Sequence, residues 1–261
     1  MPRPQSSNQG HATWSPIPDP SDRFSTGIRD FDRLLGGGFA RGSMALFHTD
    51  AATEVADHEL LFTPLLLNFL YQSNGIMAVL PARQSPRQFR AHLLPWVGRR
   101  RFDGRVRVVD YVGEDIDAPY VVDLRAKPGV ERTSKAGVAH RTKQMEHMHD
   151  AEAAVRGARS RMFVEVVAFE IMEMVVGPED AARMFFHGIQ ATRSRGTLCL
   201  GIRRPGLGCA DAVRGMADVE LALHHNELGL TVRGLRPVFP SHLVVVDLAR
   251  GAPHVAFLPA P

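Results

Sequence analysis

The residues most able to do chemistry stand just beyond an apolar run. Ser43-Met-Ala-Leu-Phe47 is followed by His48-Thr-Asp-Ala-Ala-Thr-Glu-Val-Ala-Asp-His58, which sets His48, Thr49, Asp50 and Thr53 directly past the end of a buried strand. Glu165 stands in a second apolar run, Arg161-Met-Phe-Val-Glu-Val-Val-Ala168, with Glu170 and Glu173 just after it. A lone acid on a strand reads first as structural. His147-Met-His149-Asp150 has a metal-like look, but i and i+2 on a helix point to different faces, and no second cluster has ligand spacing. His224 and His225 are strand neighbours and face opposite sides, so they do not share a ligand. Cys199 reads as a small buried hydrophobe. Cys209 falls in a loop on the side where open α/β sheets bind ligands, but no His or Asp arrangement marks it as a nucleophile. Arg99-Arg-Arg101, Arg203-Arg204 and the set Arg132, Lys135, Arg141 and Lys143 are basic clusters without interleaved aromatic platforms, and they read as solvated faces.

These residues need a scaffold, and the chain has the means to build one. Its 261 residues, 44% hydrophobic and 23% charged, fit one large α/β domain with a real core. No apolar run reaches membrane-spanning length, no secretory signal opens the chain, and two cysteines make no disulfide framework, so the expected compartment is the cytoplasm. The net charge of +3 is carried by 28 arginines against three lysines, Lys127, Lys135 and Lys143. A bias of that kind reflects composition, so partners do not follow from the net charge.

Residues 1–22 are rich in Pro, Ser, Asn and Gln and are expected to form a flexible tail, with a single domain over 23–261. Apolar residues at 28, 31, 34 and 35 have helical spacing, and Gly36-Gly37-Gly38 stops that helix. Strands are then expected at 43–47, 75–80, 105–110, 161–168 and 196–202, alternating with helices at 59–71, 85–97, 137–160 and 179–193. Such alternation implies a mainly parallel sheet with helices on both faces. Short strands at 219–223, 230–233, 242–247 and 254–257, joined by turns and not helices, complete it as an antiparallel meander.

The stretch Phe24-Ser-Thr-Gly-Ile-Arg-Asp-Phe-Asp-Arg-Leu-Leu-Gly-Gly-Gly-Phe-Ala-Arg-Gly-Ser43 resembles the opening of KaiC- and RadA-type members of the RecA superfamily. Val79 to Leu93 resembles that family's second core strand and following helix, Met162 to Ala168 its magnesium-acid strand, and Gly215-Met-Ala-Asp218 its late element before the terminal hairpins. The resemblance spans roughly residues 24–258 and implies a RecA-like three-layer sandwich.

It also implies a phosphate loop after the first strand, where glycine N–H groups wrap phosphate, a lysine meets the β/γ oxygens and Ser/Thr holds magnesium. That machinery is missing here. There is no glycine from 44 to 74 and no lysine before 127. Asp50, Glu54 and Asp57 bring negative charge to the place of the triphosphate, and each like-charge contact near 4 Å costs about 1 kcal/mol even in water. Ala82-Arg83 stand where the family has its water-orienting Glu. Arg233-Gly-Leu-Arg236 departs from the Lys-x-Arg spacing that reaches a neighbour's nucleotide. His48, Thr49, Asp50 and Thr53 are then the vestige of the nucleotide loop, and Glu165 the vestige of the Walker B acid.

The expectation is a catalytically inactive regulatory or scaffolding subunit with no cofactor and no metal. It would associate with itself or with an active paralogue, an intact KaiC- or gas-vesicle-regulator-like ATPase, and not with a membrane. The alternatives are a divergent ATP-binding ATPase that takes ATP and Mg through a different loop, and a DNA-binding recombinase paralogue whose nucleic-acid affinity falls steeply with salt.

Overall fold

The chain is described from a computed structural model, which covers residues 14–50, 52–53, 55–81, 83–110, 118–123, 163–247 and 254–260. The expected helix at 137–160 lies outside these residues, as do His147, His149, Asp150, Arg132, Lys135, Arg141, Lys143, Glu54 and Ala82.

The opening stretch folds into a clasp. Strands β1 (Arg23–Phe24) and β2 (Phe39–Ala40) pair antiparallel around helix α1 (Arg29–Leu34). Asp32 ties it shut: its Oδ1 accepts the Thr26 N–H at 2.7 Å, its Oδ2 accepts the Ser25 hydroxyl at 2.6 Å, and its carbonyl accepts the Gly37 N–H at 2.6 Å. Gly38 has φ +100°, and a Cβ there would sit 2.3 Å from the Phe24 carbonyl oxygen, so only glycine fits. Phe24, Phe31 and Phe39 are completely buried beneath the clasp.

Residues 14–22 depart from the expected flexible tail. Trp14 is buried, and the Ile17 N–H donates to Asn68 Oδ1 at 2.8 Å. Gln72 donates to Asp19 Oδ1 at 3.0 Å. Composition could not reveal this, because the polar partners that hold the segment lie about 50 residues away.

The main sheet has ten strands among the described residues: β3 (Ser43–Thr49), β4 (Gly75–Val79), β5 (Val106–Asp110), β6 (Val121–Asp123), β7 (Phe163–Ala168), β8 (Leu198–Arg203), β9 (Val219–Asn226), β10 (Gly229–Arg236), β11 (Val238–Asp247) and β12 (His254–Pro259). Their order is β12-β11-β10-β9-β3-β8-β7-β4-β5-β6. All pairings from β9 through to β6 are parallel, and those linking β9, β10, β11 and β12 are antiparallel. This is the expected α/β sandwich with its terminal meander.

Alternation along β3 explains the three layers. Ala45 and Phe47 face a core shared with α1, α2 (Val55–Tyr71), α3 (Pro86–Val97) and α4 (Arg99–Arg105). Met44 and Leu46 face the opposite core, closed by α5 (Phe169–Val176) and α6 (Pro178–Arg195) with Cys209 of α7 (Gly208–Arg214). Helix starts follow local chemistry. Ser85 and Gln88 form a reciprocal capping box ahead of Pro86, and Gly196 ends α6 in the left-handed conformation. Cys209 therefore lies in a short helix and not in a loop.

Candidate functional site

The loop after β3 is closed by its own acid. Asp50 Oδ1 accepts the Thr53 N–H at 2.8 Å, the Ala52 N–H at 3.1 Å and the Thr53 hydroxyl at 2.6 Å. Backbone donors at this place in a phosphate loop would point at a ligand; here they end on a side-chain carboxylate of the same loop. Burial raises the Asp50 pKa, but the bonds from Thr53 and His224 more than offset this and leave it below the ordinary carboxylate value. The carboxylate is thus held as an anion.

Two histidines of β9 brace this loop from the side. His224 Nδ1 lies 3.0 Å from Asp50 Oδ2, and His225 Nδ1 lies 3.5 Å from Asp57 Oδ2 at the start of α2. As strand alternation required, the two share no ligand. Thr49 donates to the Arg203 carbonyl at 3.0 Å, tying the end of β3 to β8.

Beside the loop, His48 joins a charge cluster built around the buried Glu220. Arg203 Nη1 approaches His48 Nδ1 at 3.2 Å, and His48 Nε2 lies 3.2 Å from Glu220 Oε2. Arginine only donates, so Nδ1 is the acceptor and the ring proton is on Nε2, donated to the carboxylate. Burial is the main reason the His48 pKa lies below the ordinary histidine value, with Arg203 adding to it against the pull of Glu220. His48 is therefore neutral at physiological pH. Glu220 also meets Arg214 Nε at 3.2 Å and Arg236 Nη2 at 3.4 Å, while Arg236 Nη1 donates to the Ala217 carbonyl at 2.6 Å. Arg236, in the stretch whose spacing departs from the family's Lys-x-Arg pair, lies against Glu220 with its side chain about half exposed.

Sequence reading missed Glu220 as the organiser of this cluster. The available signal was a carboxylate inside the apolar strand Val219–Leu223, since a buried charge requires partners. The partners themselves were not legible, because His48 is 172 residues away.

Glu165 is not level with this site. Through the parallel register it aligns with Cys199 on β8 and so with Met44 at the start of β3, whereas Ala168 aligns with Ile202 and Phe47. Four residues of strand separate Met44 from His48, where the site begins, about 13 Å at 3.3 Å per residue. The acids beyond the strand have other work: Glu170 pairs with Arg204 at 3.0 Å, and Glu173 accepts the Gly208 and Cys209 N–H groups at 3.2 and 2.9 Å. Burial and the adjacent Glu173 push the Cys209 thiol up to about 12, which disfavours the thiolate form. Of the basic groups, Arg203 and Arg204 are drawn into internal contacts, and Arg101 lies over the Tyr71 ring at 4.0 Å.

A small cleft of about 40 Å³ lies between α2, α3 and the ends of β4, β7 and β8. Its polar rim is self-satisfied, with Thr63 Oγ1 and His92 Nε2 2.6 Å apart and Gln84 donating to Glu59 at 2.6 Å. Among the described residues no group of three or more His, Cys, Asp or Glu side chains is placed to hold a metal, and no helix is long and apolar enough to cross a membrane.

Comparison with known proteins agrees with this architecture. Residues 13–151 match the family described as GvpD basic region 2. Two relatives come from Halobacterium salinarum. Protein GvpD2 is 35% identical over 125 residues, covering 47% of this chain and 25% of its own length. Protein GvpD1 is 40% identical over 79 residues, covering 30% of this chain and 14% of its own length. The matched region is thus a quarter or less of either relative. Among solved structures, a KaiC-like protein from the hyperthermophilic archaeon Pyrococcus horikoshii superposes with a TM-score of 0.57 at 14% identity, over 91% of this chain and 100% of that one. That likeness establishes the RecA/KaiC-type fold.

Proposed function

Because the chain belongs to the GvpD basic region 2 family, we propose that it is a RecA/KaiC-like regulatory or scaffolding subunit that does not hydrolyse ATP. It works in the cytoplasm by associating with copies of itself or with an active paralogue of the KaiC or gas-vesicle-regulator kind.

The observation that carries this reading is the self-bonded loop after β3. A triphosphate needs free backbone donors and a lysine there. This chain has no lysine before position 127, and the Ala52 and Thr53 N–H groups are spent on the Asp50 carboxylate. The loop has become a structural joint, with His224, His225 and the Glu220 cluster as its braces. A fold that keeps its sheet and clasp while its phosphate loop is closed is suited to binding and not to turnover.

Titration calorimetry with ATP and magnesium tests the reading. The expected result is no binding heat up to millimolar nucleotide, with phosphate release at the buffer rate. Micromolar affinity or turnover overturns it in favour of the divergent ATPase. Filter binding with duplex DNA tests the recombinase alternative: retention that falls steeply with salt would favour it.

A further inference from the structure

We propose that β12 is a self-association edge, across which two copies of this chain pair antiparallel about a two-fold axis and continue the ten-stranded sheet from one molecule into the next. This rests on the association reading above and names its surface and its partner.

The first observation is the strand's position. Among the described residues β12 is the outermost strand of the sheet, and its one pairing there is with β11. The register from His242↔Pro259 to Asp247↔His254 is unbroken over six pairs, so β12 is a straight strand with a row of backbone donors and acceptors on its open side. Folded proteins normally blunt such edges with charges, bulges or proline. Between His254 and Pro259 there is no Lys, Arg, Asp or Glu, no bulge interrupts the pairing, and the proline stands at the last position. The opposite edge among the described residues differs: β6 is described over three residues, Val121–Asp123, and carries an acid in Asp123.

The second observation is the sheet face beside that edge. Val244 and Phe257 point into the core, where Phe257 stacks on Phe31 with ring centroids 5.0 Å apart. Their neighbours alternate outward as the cross-strand pairs Leu243↔Leu258 and Val245↔Ala256. Leu258 is 50% exposed and Val245 37%. Among the described residues the core beneath α5 and α6 includes no residue of β10, β11 or β12, so these helices leave the outer face of the meander uncovered.

A second copy is the occupant that this chemistry selects. A two-fold contact sets a strand against itself, so any charged residue near the axis repels its own image. β12 has none to repel, and none with which to recognise a charged partner. Pairing would also join the Leu243, Val245, Ala256 and Leu258 stripes of both copies into one apolar surface. The clasp holds β12 in place through Phe31 and Phe257, so little order has to be gained on association.

The test uses the 261-residue chain in sedimentation-equilibrium runs across a concentration series, alongside two variants. Wild type is expected to shift from monomer to dimer with concentration. Leu258→Lys is expected to weaken dimerisation at least about tenfold by placing a charge on the edge, while keeping the parental unfolding midpoint because Leu258 is half exposed. Ala256→Cys is expected to give dimers with a short bis-maleimide cross-linker, against a low background because Cys199 and Cys209 are buried. A wild-type chain that stays monomeric throughout overturns the proposal. So does a dimer that Leu258→Lys leaves intact and Ala256→Cys fails to cross-link; self-association would then use another surface and the functional reading would stand. ATP turnover by a β12-linked dimer would instead overturn the functional reading and leave this inference in place.

Discussion

Replacing Glu220 tests whether the cluster at the end of β3 holds the fold together. Its side chain is 5% exposed and faces His48, Arg214 and Arg236, whose side chains are 14%, 56% and 55% exposed. Removing one partner of a fully buried ion pair costs about 3–5 kcal/mol, because the other charge stays buried alone. Here the two arginines are half exposed and can turn to water, so most of that penalty is relieved. What stays buried is the His48 Nε2–H, an unsatisfied donor worth about 1–3 kcal/mol. Glu220→Ala adds a small cavity, which places it at about 2–3 kcal/mol, and Glu220→Gln, which keeps the volume and one acceptor, at about 1–2 kcal/mol.

Urea unfolding followed by Trp14 and Trp96 fluorescence measures both. At a slope near 2–3 kcal/mol per molar, the alanine variant's midpoint should fall by about 1 M. A second readout separates the cluster from generic packing. Glu220 raises the His48 pKa against the effect of burial, so the His48 imidazole in Glu220→Gln should titrate lower still by NMR. Both variants unfolding within about 0.5 kcal/mol of the parent, with His48 unmoved, would refute the reasoning.

Three further outcomes follow from the same geometry. The unfolded chain protonates His48 near 6.5 and the folded chain only at lower pH; in that interval the unfolded state holds the extra proton, so stability falls as pH drops from 6.5 toward the folded value. The slope is at most about 1.4 kcal/mol per pH unit, and His48→Gln should flatten it in urea midpoints taken between pH 5 and 8. In the glycine run, Gly36→Ala should cost about 1 kcal/mol, because its φ is +70° but the space is open. Gly38→Ala should cost more than about 3 kcal/mol, because its Cβ meets the Phe24 carbonyl at 2.3 Å; equal melting temperatures for the two would contradict the clasp. Cys209 should resist iodoacetamide at neutral pH until urea unfolds the chain, and stoichiometric labelling of the native protein by mass spectrometry would show the thiol to be accessible and active.

The sheet was legible where residues announce their own periodicity. The apolar runs at 43–47, 75–80 and 196–202 became β3, β4 and β8 because a strand buried on both faces has no alternative reading at that length. Shorter or less apolar elements escaped. β6 has three residues, and α4 is built on Arg99-Arg-Arg101, whose burial rests on Phe102 alone. The site was legible by position only. His48, Thr49, Asp50 and Thr53 do gather at the end of β3, but what they bind there, His224, Glu220 and Arg203, comes from β8 and β9, more than 150 residues away in sequence. No local pattern encodes such pairings.

That division explains how a chain can resemble nucleotide-binding proteins so strongly in one stretch and lack a phosphate loop's glycines and lysine in the next. The opening stretch earns its residue types mechanically: Asp32 closes the clasp, Gly38 permits it, and Ser25, Gly27 and Asn68 lock it onto α2. The late Ala217-Asp218 element is equally structural. The Asp218 carboxylate accepts the Met44 N–H at 2.9 Å, and its own N–H donates to the Met44 carbonyl at 2.9 Å, anchoring the start of β3. Neither contact is made at the far end of β3, where a phosphate would sit. Demands on folding therefore act at Met44 and demands on nucleotide chemistry at Asp50, six residues along the same strand and its loop, so the second can be rewritten while the first is kept.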